Sequence, residues 1–181
     1  MSKLDSPFKK LKKDYYKRLS PYQKMMRIAE YLRKFDFEVN QLHLNGVTGR
    51  MILTKKHEGH LFQYNIEVDF KKDTFETVIA LDGLSTKVKG WLKSEFSIET
   101  LMYYTEKLLA RAREKWKIIE IESKLLKCLS NNLIEYEKID NKLYLPLEQF
   151  LYKKVIDKKV KECIKKVGEN NILLLLKQDR Y

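Results

Sequence analysis

At Val39 the apolar residues stop recurring at helical spacing and begin to alternate, the pattern that strands with one buried face require. The clearest stretch is Leu61 to Phe70, which puts Phe62, Tyr64, Ile66, Val68 and Phe70 on one face and Gln63, Asn65, Glu67 and Asp69 on the other. Three further strands are expected, at Val39–Leu44, Thr48–Lys55 and Phe75–Leu81, with turns at Asn45-Gly46, His57-Glu58-Gly59 and Asp82-Gly83. Such short connections leave room only for neighbouring strands to pair, so the segment reads as a four-stranded antiparallel meander.

Helical signals flank it. Ser6-Pro7 can open a first helix, with Leu4, Phe8, Leu11, Tyr15 and Leu19 on one stripe and Lys9, Lys10, Lys13 and Lys17 opposite. Ser20-Pro21 with Gln23 is a capping box that starts a second helix, running to about Lys34 and burying Met25, Ile28, Ala29, Leu32 and Phe35. Ser85 to Phe96 reads as a short helix, and Ile98 to Leu129 as a long one packed on the meander. Beyond Asn131-Asn132 the reading is a hairpin turning at Asp140-Asn141, a helix opened by Pro146 and closed by Gly168, and a terminal strand at Ile172–Leu176. The expected fold class is α+β: two N-terminal helices, a four-stranded antiparallel meander on a long helix, and a C-terminal hairpin-helix-strand. Residues 1–130 form the α+β core in this reading, and residues 131–181 a subdomain packed on it.

Charge divides the chain differently. Residues 1–34 hold eleven Lys/Arg against three acids, and residues 148–181 hold nine against five, so the whole excess of +12 lies at the two ends and residues 35–147 sum to zero. A neutral body with basic extremities points to a polyanionic partner. Lysine enrichment also follows from genome composition or thermophily, but neither bias places lysines at the ends.

The pattern is sharpest in the last helix, where Lys154, Lys158, Lys161 and Lys165 share one side while Tyr152, Ile156, Val160, Cys163, Ile164 and Val167 share the other. Like charges at these spacings repel, and an anionic ligand relieves the repulsion with release of its counterions. In the first helix Tyr16 stands beside the basic face as a base-stacking candidate, with Tyr15 assigned to the core. The nucleic-acid-binding candidates are therefore Lys9, Lys10, Lys13, Tyr16, Lys17, Lys154, Lys158, Lys161 and Lys165. Lysine point charges without a base-reading motif imply binding to DNA or RNA with weak sequence preference.

Catalytic and metal signals are sparse. No Ser/His/Asp set, glycine-rich phosphate loop or CxxC pair occurs, so no cofactor is expected and a non-catalytic role is favoured. His57-Glu58-Gly59-His60 combines metal-ligand types, but a polar hairpin turn accounts for it and no metal is assigned. Glu67, Asp69 and Lys71 alternate on one polar strand face, and Asp69 and Lys71 resemble the acid-x-lysine element of restriction-type nucleases. That resemblance implies a metal-dependent nuclease, although no Pro-Asp element precedes it. The order helix, meander, helices is similar to that of ubiquitin-conjugating-like and RWD-type domains, which implies a protein-interaction subunit of a larger assembly. The proline-rich motif of that family after the fourth strand is missing.

Met1–Ser20 is too charged for a secretory signal, and the longest aliphatic run, Ile172–Leu176, is far short of the ~20 residues of a membrane span, so no membrane partner is expected. Cys128 and Cys163 lie far apart in sequence and read as buried thiols of a reducing, cytoplasmic compartment.

Overall fold

The computed structural model describes residues 6–139, 142–144 and 153–177. The chain is α+β and forms two compact units, residues 1–112 and 113–181, which divide inside a long helix.

In the first unit the alternating segment forms strands β1 (Glu38–Asn45), β2 (Thr48–His57), β3 (His60–Asp69), β4 (Thr74–Leu81) and β5 (Leu84–Trp91), antiparallel and in sequential order. The meander thus has five strands rather than four, and the expected helix at Ser85–Phe96 is replaced by β5 and the turn after it. The Asp82-Gly83 turn explains the difference: both residues have positive φ, which returns the chain directly onto β4. Once it is returned, Val88 pairs with Thr77 and joins the buried face, while Gly90, a weak helix former, fits a strand edge.

Met51, Leu53, Phe62, Tyr64, Ile66, Val68, Phe75, Ile79 and Leu81 line the inner face. Each such side chain contributes about 1.5–3 kcal/mol on full burial. Helix α2 (Pro21–Arg33) covers one part of this face through Met25, Ile28, Ala29 and Leu32, and its capping box is formed as expected, Ser20 Oγ accepting from Gln23 N at 3.2 Å and Gln23 Oε1 from Ser20 N at 2.9 Å. Gly49 admits it: a Cβ there would lie 2.7 Å from Met25 Sδ and 3.1 Å from Val68. Helix α3 (Ile98–Asn131) buries Leu101, Leu108, Leu109 and Ala112 within this unit, and the Tyr64 hydroxyl meets Thr105 Oγ1 at 2.8 Å, joining the helix to β3.

The first expected helix is not continuous. Residues 7–11 are turn and bend, and α1 spans only Lys13–Arg18. Ser6 is buried rather than an exposed cap, and its Oγ donates to the Leu92 carbonyl at 2.7 Å, which commits the chain to a turn before the helix begins.

In the second unit the remainder of α3 is followed by the strands β6 (Glu137–Ile139) and β7 (Lys142–Tyr144), by α4 (Lys153–Val167) and by α5 (Glu169–Lys177). The expected turn at Asp140-Asn141 and the expected start at Pro146 lie outside the described residues. Gly168, at φ 96°, closes α4 as expected. Residues Ile172–Leu176, read as a strand, lie in α5, because five apolar residues do not define a period and Ile172 N donates to Gly168 O to begin a new helix.

Leu125, Leu129, Ile134 and Cys163 form the core of this unit. Cys128 and Cys163 are joined in a disulfide, with Cα atoms 5.7 Å apart across a sequence separation of 35. The expectation of two buried thiols is corrected: distance along the chain says nothing about the approach of two helices, and α4 lays Cys163 directly on Cys128. The argument for a reducing compartment drawn from unpaired thiols falls with it. Among the described residues no helix is long and apolar enough to cross a membrane.

Candidate nucleic-acid interface

The N-terminal basic segment is held down by its aromatic residues. Phe8 and Tyr16 are buried and meet edge to face, ring centroids 5.0 Å apart. The Tyr16 hydroxyl donates to the Asp73 carboxylate, and the Lys24 and Lys93 ammonium groups lie 4.1 and 4.0 Å from its ring centroid. Lys93 also pairs with Asp73 at 3.1 Å. Burial first, and then the bond and charge of Asp73, push the Tyr16 hydroxyl well above the ordinary phenol range. Lys24, only 8% exposed, is held below the usual lysine value mainly by desolvation, against the opposing pull of Asp73.

Two expectations are reversed here. Tyr16, expected to stack on bases, is 3% exposed and occupied, whereas Tyr15, expected in the core, is 47% exposed. The Arg27 guanidinium donates to the Tyr15 hydroxyl at 3.1 Å and sits 5.6 Å from its ring centroid. The helical phase explains the exchange. Counting 100° per residue from Ser6 puts Tyr15 inward, but the helix begins at Lys13, and the bend at Leu11-Lys12 resets the phase. Lys9, Lys10, Lys13 and Lys17 are all exposed, as expected, though not along one helix face. Lys12, Arg18 and Tyr22 are exposed as well, and helical spacing does not single them out.

On α4, Lys158, Lys161 and Lys165 are exposed and border a shallow groove shared with Asp157 and Glu162. The side chain of Lys154 lies outside the described residues. Lys158 to Lys165 span about 10 Å of helix at 1.5 Å per residue. The two acids stand three or four residues from these lysines and moderate the row. Lys159 turns away from it and donates to the Asn132 carbonyl at 3.1 Å.

Part of the body's charge is paired within the body. On the open sheet face Arg50 lies 3.8 Å from Glu67, and Glu76 binds Lys87 and, at 2.8 Å, Lys89. Asp69 Oδ1 accepts from the backbone N–H groups of Lys71 and Lys72, both at 2.9 Å, and these bonds, Lys72 first, hold its carboxyl below the usual range. β3 ends at Asp69, so Lys71 stands in the following turn and not on the strand face with Glu67 and Asp69. His43, Arg50, Glu67, Asp69, Lys89 and Trp91 help to line an open groove of about 1060 Å³ on this face. By contrast Lys10, Lys12, Lys13, Lys17 and Arg18 are exposed and, among the described residues, enter no ion pair.

Comparison with protein-family models, with curated proteins and with solved structures finds no match to this chain.

Proposed function

We propose that this chain is a non-catalytic nucleic-acid-binding protein that contacts the phosphate backbone through its terminal lysines, Lys9, Lys10, Lys13 and Lys17 at one end and Lys158, Lys161 and Lys165 at the other. The observation that carries this reading is an asymmetry of pairing: acids of the body hold several of its cations, while Lys10, Lys13 and Lys17 are exposed, enter no ion pair among the described residues, and lie in a segment anchored by Phe8 and Tyr16. Such a surface attracts phosphate without needing its own counter-charge displaced. Tyr15 and Tyr22 replace Tyr16 as the aromatic contribution, being exposed beside the lysines.

The test is fluorescence anisotropy with labelled duplex DNA, single-stranded DNA and RNA across ~50 to 200 mM salt. Lys10/Lys13/Lys17→Glu and Lys158/Lys161/Lys165→Glu variants are each expected to weaken binding and flatten its salt dependence. Absence of binding at low salt overturns the reading. A second reading, a subunit that binds another polypeptide, is favoured by one feature, the mixed-charge groove of the open sheet face with Trp91 56% exposed at its edge.

A further inference from the structure

The geometry points to a divalent transition-metal site at the tip of the β2–β3 hairpin, formed by His57, Glu58 and Glu106. Each of the three offers one ligand atom, and these atoms lie within 4.8 Å of one another. Glu58 and Gly59 both have positive φ, the geometry of a two-residue turn that brings the flanking residues face to face. His57 and His60 are accordingly direct partners at the end of the ladder, so their side chains leave the same side of the sheet. The turn thus supplies one imidazole, His57, and one carboxylate, Glu58, to the cluster.

The remaining donor comes from α3, and its position is set by buried structure. Thr105, the residue before Glu106, is fully buried, bonds the Tyr64 hydroxyl and donates to the Leu101 carbonyl at 2.8 Å. That contact fixes the helix against β3, and Glu106 is thereby delivered to the His57 imidazole, whose Nε2 it already meets. The ring of Phe62 stands against His57 with centroids 6.2 Å apart and restricts its orientation. Two carboxylates held this close repel, and a cation between them reverses the sign of that interaction.

The donor set selects the ion. Two carboxylate oxygens alone suit Mg²⁺ or Ca²⁺, whereas imidazole favours Zn²⁺ and the neighbouring first-row ions. A tetrahedral Zn²⁺ with bonds of about 2.0–2.1 Å needs its ligands roughly 3.4 Å apart, a contraction that side-chain torsions at a half-exposed turn supply. The bound ion ties the hairpin tip to α3. It is a structural clamp, and no reaction is assigned to it.

The experiment is calorimetric titration of the full chain, free of any histidine tag and stripped of metal, with ZnCl₂. One equivalent is expected to bind with Kd at or below about 10 μM and to raise the thermal midpoint. His57→Gln and Glu106→Gln are each expected to weaken binding at least about tenfold and to abolish the thermal shift, with unchanged far-UV circular dichroism. Bound Co²⁺ should show no thiolate charge-transfer band, since Cys128 and Cys163 are joined to each other. Undiminished binding in both variants, a thiolate band, or no heat at ~100 μM Zn²⁺ overturns the site.

Discussion

The Tyr16 hydroxyl donates its hydrogen bond to the Asp73 carboxylate, joining the basic N-terminal helix to the turn between β3 and β4 across 57 residues. The bond is charge-assisted at its acceptor, and Lys93 binds the same carboxylate. Tyr16→Phe keeps the ring between Lys24 and Lys93 and removes only the hydroxyl. It is expected to cost about 1.5–3 kcal/mol of unfolding free energy, read from the urea midpoint. Nucleic-acid affinity in the folded variant should not fall, because the ring is buried. A fall in affinity with unchanged stability would return Tyr16 to the binding surface.

Alkaline titration should expose the buried phenols. Burial, opposed in part by the bond to Thr105 and aided least by the charge of Glu106, pushes the Tyr64 hydroxyl from 10.0 up to about 12. A phenol whose folded value is raised stabilises the fold fully below its unfolded value, so the contribution persists to pH ~10 and is lost as pH rises from there toward 12. For Tyr64 the loss is roughly 3 kcal/mol, since each unit is about 1.4 kcal/mol. Tyr16 adds to it in the same direction, and Lys24, lowered by desolvation, acts oppositely as it deprotonates. Unfolding free energies of wild type and Tyr64→Phe should therefore converge between pH 10 and 12. Parallel curves would rule out a protonated, buried Tyr64.

Period was legible in the sequence where it was long, and phase where a cap set it. Four of the five strands, helix α2 with its Ser20–Gln23 box, and α3 follow from alternation and capping. β5 was missed because Trp91 and Leu92 look helical beside Val88, although the Leu84, Thr86, Val88 alternation after Asp82-Gly83 carried the signal. Tyr15 and Tyr16 were exchanged because a phase counted from Ser6 does not survive the bend at Leu11. The hairpin donors His57 and Glu58 are visible within His57-Glu58-Gly59-His60, but Glu106 joins them only through tertiary packing, which no spacing records. The same holds for the disulfide.

Thr77 sits at the centre of the inner sheet face, fully buried, and among the described residues its Oγ1 has no hydrogen-bond partner. A hydroxyl desolvated without a partner costs roughly 1–3 kcal/mol. Val has the same shape and prefers strands, so Thr77→Val is expected to raise the unfolding free energy by about 1 kcal/mol or more, read as a higher urea midpoint at constant slope. Loss of stability would mean that the hydroxyl has a partner after all.

Cys163 lies fully buried against Leu125, Leu129 and Ile134, and its bond to Cys128 closes a 35-residue separation that contains β6 and β7. Only three residues hold each of these strands, so local pairing alone is a weak constraint on the segment. The cross-link restricts the unfolded chain, and for a loop of this size such a restriction is worth about 2–4 kcal/mol. Asn132 reinforces the junction, its Nδ2 donating to the Cys128 carbonyl at 2.9 Å and lying 3.5 Å from Cys163 Sγ. Reduction, or the Cys128→Ser/Cys163→Ser double variant, should lower hydrogen-exchange protection at Leu125, Leu129, Ile134 and Cys163 or its replacement. Amides of β3, in the other unit, serve as the internal reference. Thiol titration of denatured, unreduced protein should find no reactive cysteine, and two reactive thiols there would show that the bond does not form.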